Sequence, residues 1–286
     1  NAATLAVKLE RSASDLDHKK VVIGDETWHY LEGGPEYAEV LLLIHGFGGD
    51  KHNWTRFARS LTDNYRVIAP DLPGFGESAW HPDWDYSLLP QRDRLHGFAQ
   101  ALDLKQFHVA GNSMGGHLAD LYTHRYTKGV TSLSLVDNAG VSAPVETDYE
   151  RAFTNGKNPL IVETVDDFDF LLSFAAYKKP FAPWPVKGVF ARRAVAHAES
   201  NHAIFDACNS DRNAGLEPLL TDIEQPVQII WGEFDRVLDV SSIDVMRPLL
   251  PQAEVIIMKD TGHIPMLERP AETAAHYLSF LEELQL

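Results

Sequence analysis

Residues 107–116 read Phe-His-Val-Ala-Gly-Asn-Ser-Met-Gly-Gly, and the organisation of the whole chain can be worked out from this stretch. It contains a G-x-S-x-G pentapeptide directly after an apolar run typical of a buried strand and directly before a helix-like segment. A serine hydroxyl is a weak nucleophile, so it must project from a tight turn towards a general base, and flanking glycines prevent side-chain clashes there. The stretch therefore predicts a nucleophilic role for Ser113 rather than a merely structural turn.

Similar apolar runs recur along the chain and predict a parallel sheet. The runs, rich in Val, Ile and Leu, cover residues 40–44, 66–70, 107–110, 132–137, 227–231 and 254–258. Helix-like stretches alternate with them, at 54–62, 89–102, 114–126, 241–250 and 270–284. Runs so short and so uniformly apolar suit strands that are buried on both faces of a sheet. Residues 21–31 mix apolar and polar side chains and suit antiparallel strands at the edge of the sheet. Because strands and helices alternate, we predict an α/β fold with a mostly parallel central sheet flanked by helices.

Residues 141–225 break this alternation. They contain helical pieces and a Pro-rich stretch at 179–185, but no run typical of a strand. An insertion of about 85 residues is too long for an ordinary loop. We therefore predict a helical cap (lid) domain over 141–225, inserted before the penultimate strand of an α/β core domain that comprises 1–140 and 226–286. Such a cap would cover the C-terminal edge of the sheet, where open α/β sheets bind ligands.

A serine nucleophile needs a base and an acid that orients the base. His263 follows the last predicted strand, and a loop at that strand end is where a base can reach Ser113. Two acids compete for the third position: Asp235 after the penultimate predicted strand, and Asp137 at the end of the strand before it. Either carboxylate could lie near the imidazole. Asp235 is favoured because it follows a turn that would direct it inward and keeps the chain order serine, acid, histidine. Asp137 is expected to hydrogen-bond locally.

His45 is the obvious rival as base, but it directly precedes Gly-Phe-Gly-Gly. This segment follows a predicted strand and suits a loop whose backbone binds an oxyanion. We predict that the backbone N–H groups of Phe47 and Met114 bind the oxyanion of a tetrahedral intermediate. Asp71, within Asp-Leu-Pro-Gly-Phe-Gly-Glu-Ser, is expected to hold a turn and not to react.

The predicted cap is rich in aromatic side chains. They are Phe168, Phe170, Phe174, Tyr177, Phe181, Trp184 and Phe190. Most are expected to form the core of the cap, but an amphipathic cap above a serine site can also line an acyl pocket and exclude water. Phe174, Phe181 and Trp184 are the candidate substrate-binding residues.

Composition limits the classes of partner and cofactor. With 25 Lys+Arg and 41 Asp+Glu the formal charge is −16, which argues against nucleic acid, because a phosphate backbone needs a basic footprint. No apolar run approaches the roughly 18 residues of a membrane span. No CxxC, HExxH or closely spaced His/carboxylate set is present, and residues 74–76 lack the third glycine of a dinucleotide fingerprint. We therefore expect no metal and no cofactor. Cys208 is the single cysteine, so no intramolecular disulfide can form. The cysteine count therefore fits both a reducing and an oxidising compartment.

Together these motifs resemble those of serine hydrolases with the α/β-hydrolase fold, over nearly the whole chain outside the predicted cap. Residues 46–54, 71–78 and 111–116 are similar to those of bacterial lipases and esterases of the monoacylglycerol-lipase-like branch. The resemblance implies hydrolysis of a small-molecule or lipid acyl ester by a Ser-His-Asp triad through an acyl-enzyme, without a cofactor.

Two alternatives and the location remain open. Residues 111–116 are also similar to those of carbon–carbon hydrolases that cleave ring-fission products of aromatic degradation. A non-catalytic binding module of the same fold is the rival from another class, but such proteins often lose a triad member.

Some members of the lipase branch carry an N-terminal hydrophobic anchor, and none is visible from Asn1. The protein is thus expected in the cytoplasm, or in the periplasm or at a membrane if an anchor preceded Asn1; membrane contact and oligomeric state stay open.

Overall fold

The fold is built on one eight-stranded sheet. The computed structural model describes residues 2–181, 186–210 and 216–285. The strands are β1 (Leu16–Ile23), β2 (Glu26–Gly33), β3 (Val40–Ile44), β4 (Arg66–Pro70), β5 (Phe107–Asn112), β6 (Val130–Val136), β7 (Val227–Gly232) and β8 (Glu254–Met258). Their order is β1-β2-β4-β3-β5-β6-β7-β8, with antiparallel pairing from β1 to β4 and parallel pairing from β4 to β8. The predicted mostly parallel sheet is confirmed.

Helices cover both faces of this sheet. The described helices are α1 (Ala2–Ser12), α2 (Thr55–Ala58), α3 (Leu88–Ala101), α4 (Met114–Arg125), α5 (Asp148–Thr154), α6 (Val165–Ala175), α7 (Val186–Ala196), α8 (Ala198–Ser210), α9 (Glu217–Leu220), α10 (Ser242–Leu249), α11 (Pro265–Glu268) and α12 (Pro270–Glu283). Along β3, Leu42 and Ile44 join the core formed with α3, α4 and α10, whereas Leu41 and Leu43 join the core formed with α2 and α12. This alternation follows from the two-residue period of a strand. Because both faces are covered, β3 is apolar throughout.

Five helices, α5 to α9, form the cap segment between β6 and the penultimate strand β7, and the described part of residues 141–225 contains no strand. Two of these helices begin with a capping box. Thr147 and Glu150 bond reciprocally at the start of α5, and Thr164 and Asp167 do so at the start of α6. Both pairs satisfy N–H groups that the first turn of a helix leaves free. The predicted helical insertion before the penultimate strand is confirmed.

The structure departs from the predicted elements in three places. The strand predicted at 132–137 runs from Val130 to Val136, because Asp137 has a φ of 45° and leaves the strand conformation. The helix predicted at 54–62 is a short 3-10 turn followed by the single turn α2. Helix α1 was not predicted. It packs against α2 and α7, while its leucines Leu5 and Leu9 are exposed.

None of the described helices is long and apolar enough to cross a membrane.

Candidate active site

Ser113 occupies a strained turn between β5 and α4. Its backbone has φ 56° and ψ −121°, a region that residues other than glycine seldom adopt. Its N–H donates to the carbonyl of Val136 at 3.1 Å. Its carbonyl accepts from the N–H groups of Gly116, His117 and Ala139 at 2.9, 3.1 and 3.0 Å. These bonds hold the serine at the C-terminal edge of the sheet.

Gly111 and Gly115 make this turn sterically possible. A Cβ on Gly111 would lie 2.1 Å from the carbonyl oxygen of Gly115, and a Cβ on Gly115 would lie 2.4 Å from the carbonyl oxygens of Ile44 and His45. Helix α4 therefore begins in direct contact with the end of β3. Any side chain at either glycine would push the serine turn away from the neighbouring loop.

His263 and Asp235 form a directed pair. The Nδ1 atom of His263 lies 2.7 Å from Oδ2 of Asp235, and both side chains are buried. An ionised carboxylate only accepts, so in the neutral imidazole Nδ1 carries the hydrogen and Nε2 is free to take a proton. The other carboxylate oxygen, Oδ1, accepts from the N–H groups of Val237 at 2.8 Å and Leu238 at 3.0 Å. These bonds fix the orientation of the acid.

Asn112 links the serine strand to the histidine loop, a role that was not predicted from the sequence. Its buried side chain donates from Nδ2 to the carbonyl of Val136 and to the carbonyl of His263, both at 3.0 Å. The residue occupies a variable position of the G-x-S-x-G pattern, so the motif carries no signal for it. Its amide side chain next to the nucleophile is the feature that could have indicated a structural link.

His45 supports the loop that it begins. Its Nδ1 atom donates to the carbonyl of Gly46 at 2.8 Å, and Nε2 accepts from the N–H of Leu72 at 3.1 Å. The second bond requires an unprotonated Nε2. Burial lowers the pKa of His45, which favours this neutral form. His45 therefore joins two loops, and because both of its ring nitrogens are in hydrogen bonds neither is available as a base.

The predicted oxyanion residues come from the two segments that meet at the serine. A Cβ built on Gly46 would lie 3.2 Å from Cβ of Ser113, so the loop of residues 45–49 passes directly beside the nucleophile. Phe47 lies on this loop and lines the same cavity as Ser113. Met114 begins α4, where the first N–H groups have no partner within the helix. Both predicted residues thus lie in the segments that adjoin Ser113.

A cavity of about 510 Å³ contains Ser113 and His263 in its wall. Its volume is in the range of small-molecule sites, and its lining is mostly apolar. The cap contributes Phe168, Leu171, Leu172, Phe181, Val186 and Phe190. Helix α1 contributes Ala6, Val7 and Glu10. The contribution of α1 was not predicted, because no motif marks a helix that is joined to the site only by tertiary packing.

The three predicted substrate-binding residues have different positions. Phe181 lies on the cavity wall. Phe174 is instead 5% exposed and packs in a small apolar cluster between the cap segment and the loop after β7, with the guanidinium of Arg236 at 4.8 Å from its ring centroid. The other members of this cluster are Tyr149, Ile161, Phe205 and Val237. Phe174 therefore packs between the cap segment and the core and does not lie on the cavity wall. Trp184 lies outside the described residues.

Within the described residues, two groups of His and carboxylate side chains are close enough to surround a metal ion. They are Asp137, Asp235 and His263, and His18, His29 and Glu77. In the second group Nε2 of His18 lies 3.0 Å from Nδ1 of His29, and Oε2 of Glu77 lies 2.6 Å from Nζ of Lys51. The ammonium group thus already places a positive charge beside this carboxylate. Both groups combine distant parts of the chain, which is why local spacing did not indicate them.

Comparisons with known proteins agree with this architecture. A model of the alpha/beta hydrolase family matches residues 41–276. Lipase 1 of Psychrobacter immobilis is 38% identical over 288 residues, covering 100% of this chain and 90% of that protein. Monoacylglycerol lipase ABHD6 of Mus musculus is 30% identical over 261 residues, covering 88% and 78%. The crystal structure of a membrane phospholipase A, described as a bacterial virulence factor, is 45% identical with a TM-score of 0.95, covering 99% of this chain and 91% of that one.

Proposed function

The chain belongs to the alpha/beta hydrolase family and hydrolyses ester bonds, and from this premise we propose that it is a serine carboxylic-ester hydrolase acting through Ser113, His263 and Asp235. The observation that carries the proposal is the 2.7 Å bond between His263 and Asp235 beside a cavity whose wall also contains Ser113. A buried acid that fixes the tautomer of a histidine near a strained serine is the arrangement that nucleophilic acyl transfer requires.

In the proposed reaction Oγ of Ser113 attacks the ester carbonyl while Nε2 of His263 takes its proton. Asp235 holds the proton on Nδ1 and stabilises the imidazolium that forms. The N–H groups of Phe47 and Met114 bind the oxyanion of the tetrahedral intermediate. The intermediate collapses to an acyl-enzyme, and the leaving alcohol takes the proton from Nε2. Water then attacks the acyl-enzyme with the same histidine as base and releases the acid.

We infer that the substrate is a lipid-derived acyl ester. The lining of the cavity is mostly apolar, which suits a hydrocarbon chain better than a charged acid. Of the three Lys and Arg side chains in its described wall, Arg56 pairs with Glu10 and Lys187 with Asp169, while the guanidinium of Arg193 lies 5.9 Å from the ring centroid of Phe190. The names of the relatives, lipase and monoacylglycerol lipase, support the same class of substrate.

We also propose that residues 141–225 act as a cap domain on a core of residues 1–140 and 226–286. The carbonyl of Ala175 at the end of α6 accepts from the N–H of His263 at 2.7 Å. The cap segment therefore contacts the loop of the base directly. A cap so placed would exclude water from the acyl chain during the reaction.

The test is a hydrolysis profile across p-nitrophenyl esters from acetyl to palmitoyl. We expect wild type to show a clear optimum in chain length, and Ser113→Ala to lose about 10⁴-fold or more of kcat at every length. Ser210→Ala serves as the matched control, because Ser210 is exposed and, among the described residues, its hydroxyl donates within its own helix to the carbonyl of Ala207 at 2.7 Å.

Two results would count against the proposal. Wild-type rates in Ser113→Ala would exclude the serine as nucleophile. A flat and weak response to all ester lengths, with efficient cleavage of a vinylogous diketone acid, would instead favour the carbon–carbon hydrolase.

A further inference from the structure

The carboxyl group of Asp137 lies beside the proposed acid and base without a role in the reaction described above. Asp137 follows β6, is 0% exposed, and has an acid oxygen within 4.8 Å of the ligand-type atoms of both Asp235 and His263. Its Oδ1 atom accepts from the N–H of Gly232 at 2.9 Å. Its Oδ2 atom is buried and accepts no hydrogen bond from any of the described residues. An ionised carboxylate oxygen left in this state would be strongly unfavourable.

The number of donors shows which of the two neighbouring carboxyl groups holds the negative charge. Asp235 accepts from three donors, the N–H groups of Val237 and Leu238 and Nδ1 of His263. Asp137 accepts from one, the N–H of Gly232. Two buried carboxyl groups in contact do not both ionise, and the group with more donors is the one whose charged form is stabilised.

We propose that Asp137 is a positioning residue that keeps its proton on Oδ2 and donates it in a hydrogen bond to the carboxylate of Asp235. The acid of the site is then a pair of carboxyl groups that share one negative charge and one proton. Its importance for turnover rests on the proposed function, whereas the protonation state itself can be measured without any substrate.

The bond has two consequences for Asp235. It gives the carboxylate a fourth donor, which restrains its orientation towards Nδ1 of His263. It also keeps an acceptor on Nδ1 of His263 while positive charge develops on the imidazole.

The titratable groups that face Asp137 are Asp235, His263 and Glu268. Burial raises the pKa of Asp137 well above its usual range, and the charge of Asp235 adds to the rise. Burial also raises the pKa of Glu268, whose carboxyl oxygens accept from the N–H groups of Gly262 and Lys178 at 2.9 and 3.1 Å. No cation among the described residues is paired with Asp137.

Infrared spectroscopy of protein labelled with isotopic aspartate tests the proposal directly. At about pH 7 to 8 we expect the carbonyl band of a protonated aspartic acid, a condition in which an ordinary Asp is fully ionised, and we expect Asp137→Asn to remove it. Asp120→Asn is the matched control. Asp120 is also buried, burial raises its pKa, and it bonds to Nδ2 of Asn138 at 3.2 Å. Its variant should remove a different band. A wild-type spectrum that Asp137→Asn leaves unchanged overturns the proposal.

The pH profile of kcat/KM distinguishes a neutral Asp137 from an ionised one. Asp137→Asn replaces one neutral donor by another. The acidic limb of the kcat/KM profile of this variant should therefore stay within about 0.3 pH units of that of wild type, and kcat should fall less than about tenfold. If Asp137 were ionised, removal of a charge so close to the imidazole would move this limb down by about 1 unit or more. That shift would overturn the proposal.

A second variant keeps the test valid if Asp137→Asn folds poorly. Asp235→Asn removes the neighbouring charge, so the protonated-acid band of Asp137 should titrate at a lower pH than in wild type. A band that titrates at the same pH in both proteins would overturn the proposal. Neither spectrum depends on turnover, so failure of the esterase assignment in Ser113→Ala is distinguishable from failure here.

Discussion

The strained conformation of Ser113 keeps its hydroxyl available. A residue other than glycine with φ near 56° costs on the order of 1–3 kcal/mol. The backbone bonds to Val136, Gly116, His117 and Ala139 offset this cost. Serine at the start of a helix commonly caps it, yet the side chain of Ser113 makes no cap bond to α4. The turn therefore directs the hydroxyl away from its own helix.

Single residues differ in how well the sequence indicates them. Ser113, Asp235 and His263 could be proposed because each follows a strand, and parallel strands bring their C-terminal ends to one edge of a sheet. Asp137 competed with Asp235 for the acid position because the two residues follow neighbouring strands, and only the turn before Asp235 and the chain order favoured Asp235. Asn112 could not be recognised, because its partners are the backbone carbonyls of residues that are distant in the chain.

Asn112→Ala tests the link between the serine strand and the histidine loop. The change leaves the buried carbonyls of Val136 and His263 without this donor, a loss of about 1–3 kcal/mol per unsatisfied group. Because the base shifts relative to the serine, we expect kcat on p-nitrophenyl butyrate to fall by about tenfold or more, with a smaller change in KM.

The control for this prediction is Gln91→Ala. The buried amide of Gln91 donates to the carbonyl of Pro73 at 3.1 Å, so its removal should reduce stability in a similar way and leave kcat near wild type. Equal kcat values for the Asn112 and Gln91 variants would show that the link to His263 is not needed for turnover.

At the scale of elements, the loop after β4 is held by an ion-pair network in which Lys51 and Asp71 are buried and Glu77 is partly exposed. Nζ of Lys51 lies 2.5 Å from Oδ2 of Asp71 and 2.6 Å from Oε2 of Glu77. Asp71 also accepts from the N–H groups of Lys51 and Glu77 at 2.7 and 2.8 Å, which is the turn-holding role expected of it. The loop presents the ring of Phe75 edge-on to Phe47, with centroids 5.8 Å apart. The network thus supports the proposed oxyanion segment.

Glu77→Gln should remove the part of the pH dependence of stability that the ionised Glu77 contributes. Burial opposes ionisation of Glu77, but the hydrogen bond and charge of Lys51 outweigh it and lower the pKa to about 2. Since this value lies below the usual 4.5, the charged form is stabilised in the folded state. Its contribution is present above about pH 4.5 and is lost as the pH falls towards about 2. The gap in Tm between wild type and Glu77→Gln should therefore be largest near neutral pH and shrink on acidification.

Thermal unfolding of Glu146→Gln over the same pH range is the control for the Glu77→Gln prediction. Glu146 is exposed and lies 3.7 Å from Arg151, and exposed pairs contribute little. Its Tm gap should be small throughout. A gap for Glu77→Gln that stays constant from neutral to acid pH would contradict the assigned role of the Lys51 bond.

Elements were predictable where burial imposes a clear pattern. All six predicted core strands are present, because strands covered on both faces are mostly apolar. Helix α1 escaped detection because its two leucines are exposed and its contacts with α2 and α7 are set by tertiary packing. The helix predicted at 54–62 is shorter because a capping box at Asp50 and Asn53 begins a 3-10 turn before it.

At the scale of the whole molecule, the cavity exists only because three separate parts of the chain meet. The sheet edge supplies Ser113 and His263, the cap supplies most of the apolar wall, and α1 closes a further part of it. Neither the motifs nor the composition could indicate the size of this space, because it depends on how the cap and α1 pack on the core.

Val7→Trp tests whether α1 limits the space for the acyl chain. Val7 is half-buried in the cavity wall, so an indole there would occupy part of the volume. Long chains need that volume and short ones do not. We expect the ratio of kcat/KM for palmitoyl to acetyl esters to fall by at least about tenfold, since pocket size discriminates strongly between chain lengths. Leu9→Trp is the matched control, because Leu9 lies on the same helix, is 61% exposed and does not line the cavity. If both variants change the ratio equally, or neither does, α1 does not form the end of the acyl site, and the limit on chain length has to come from the cap.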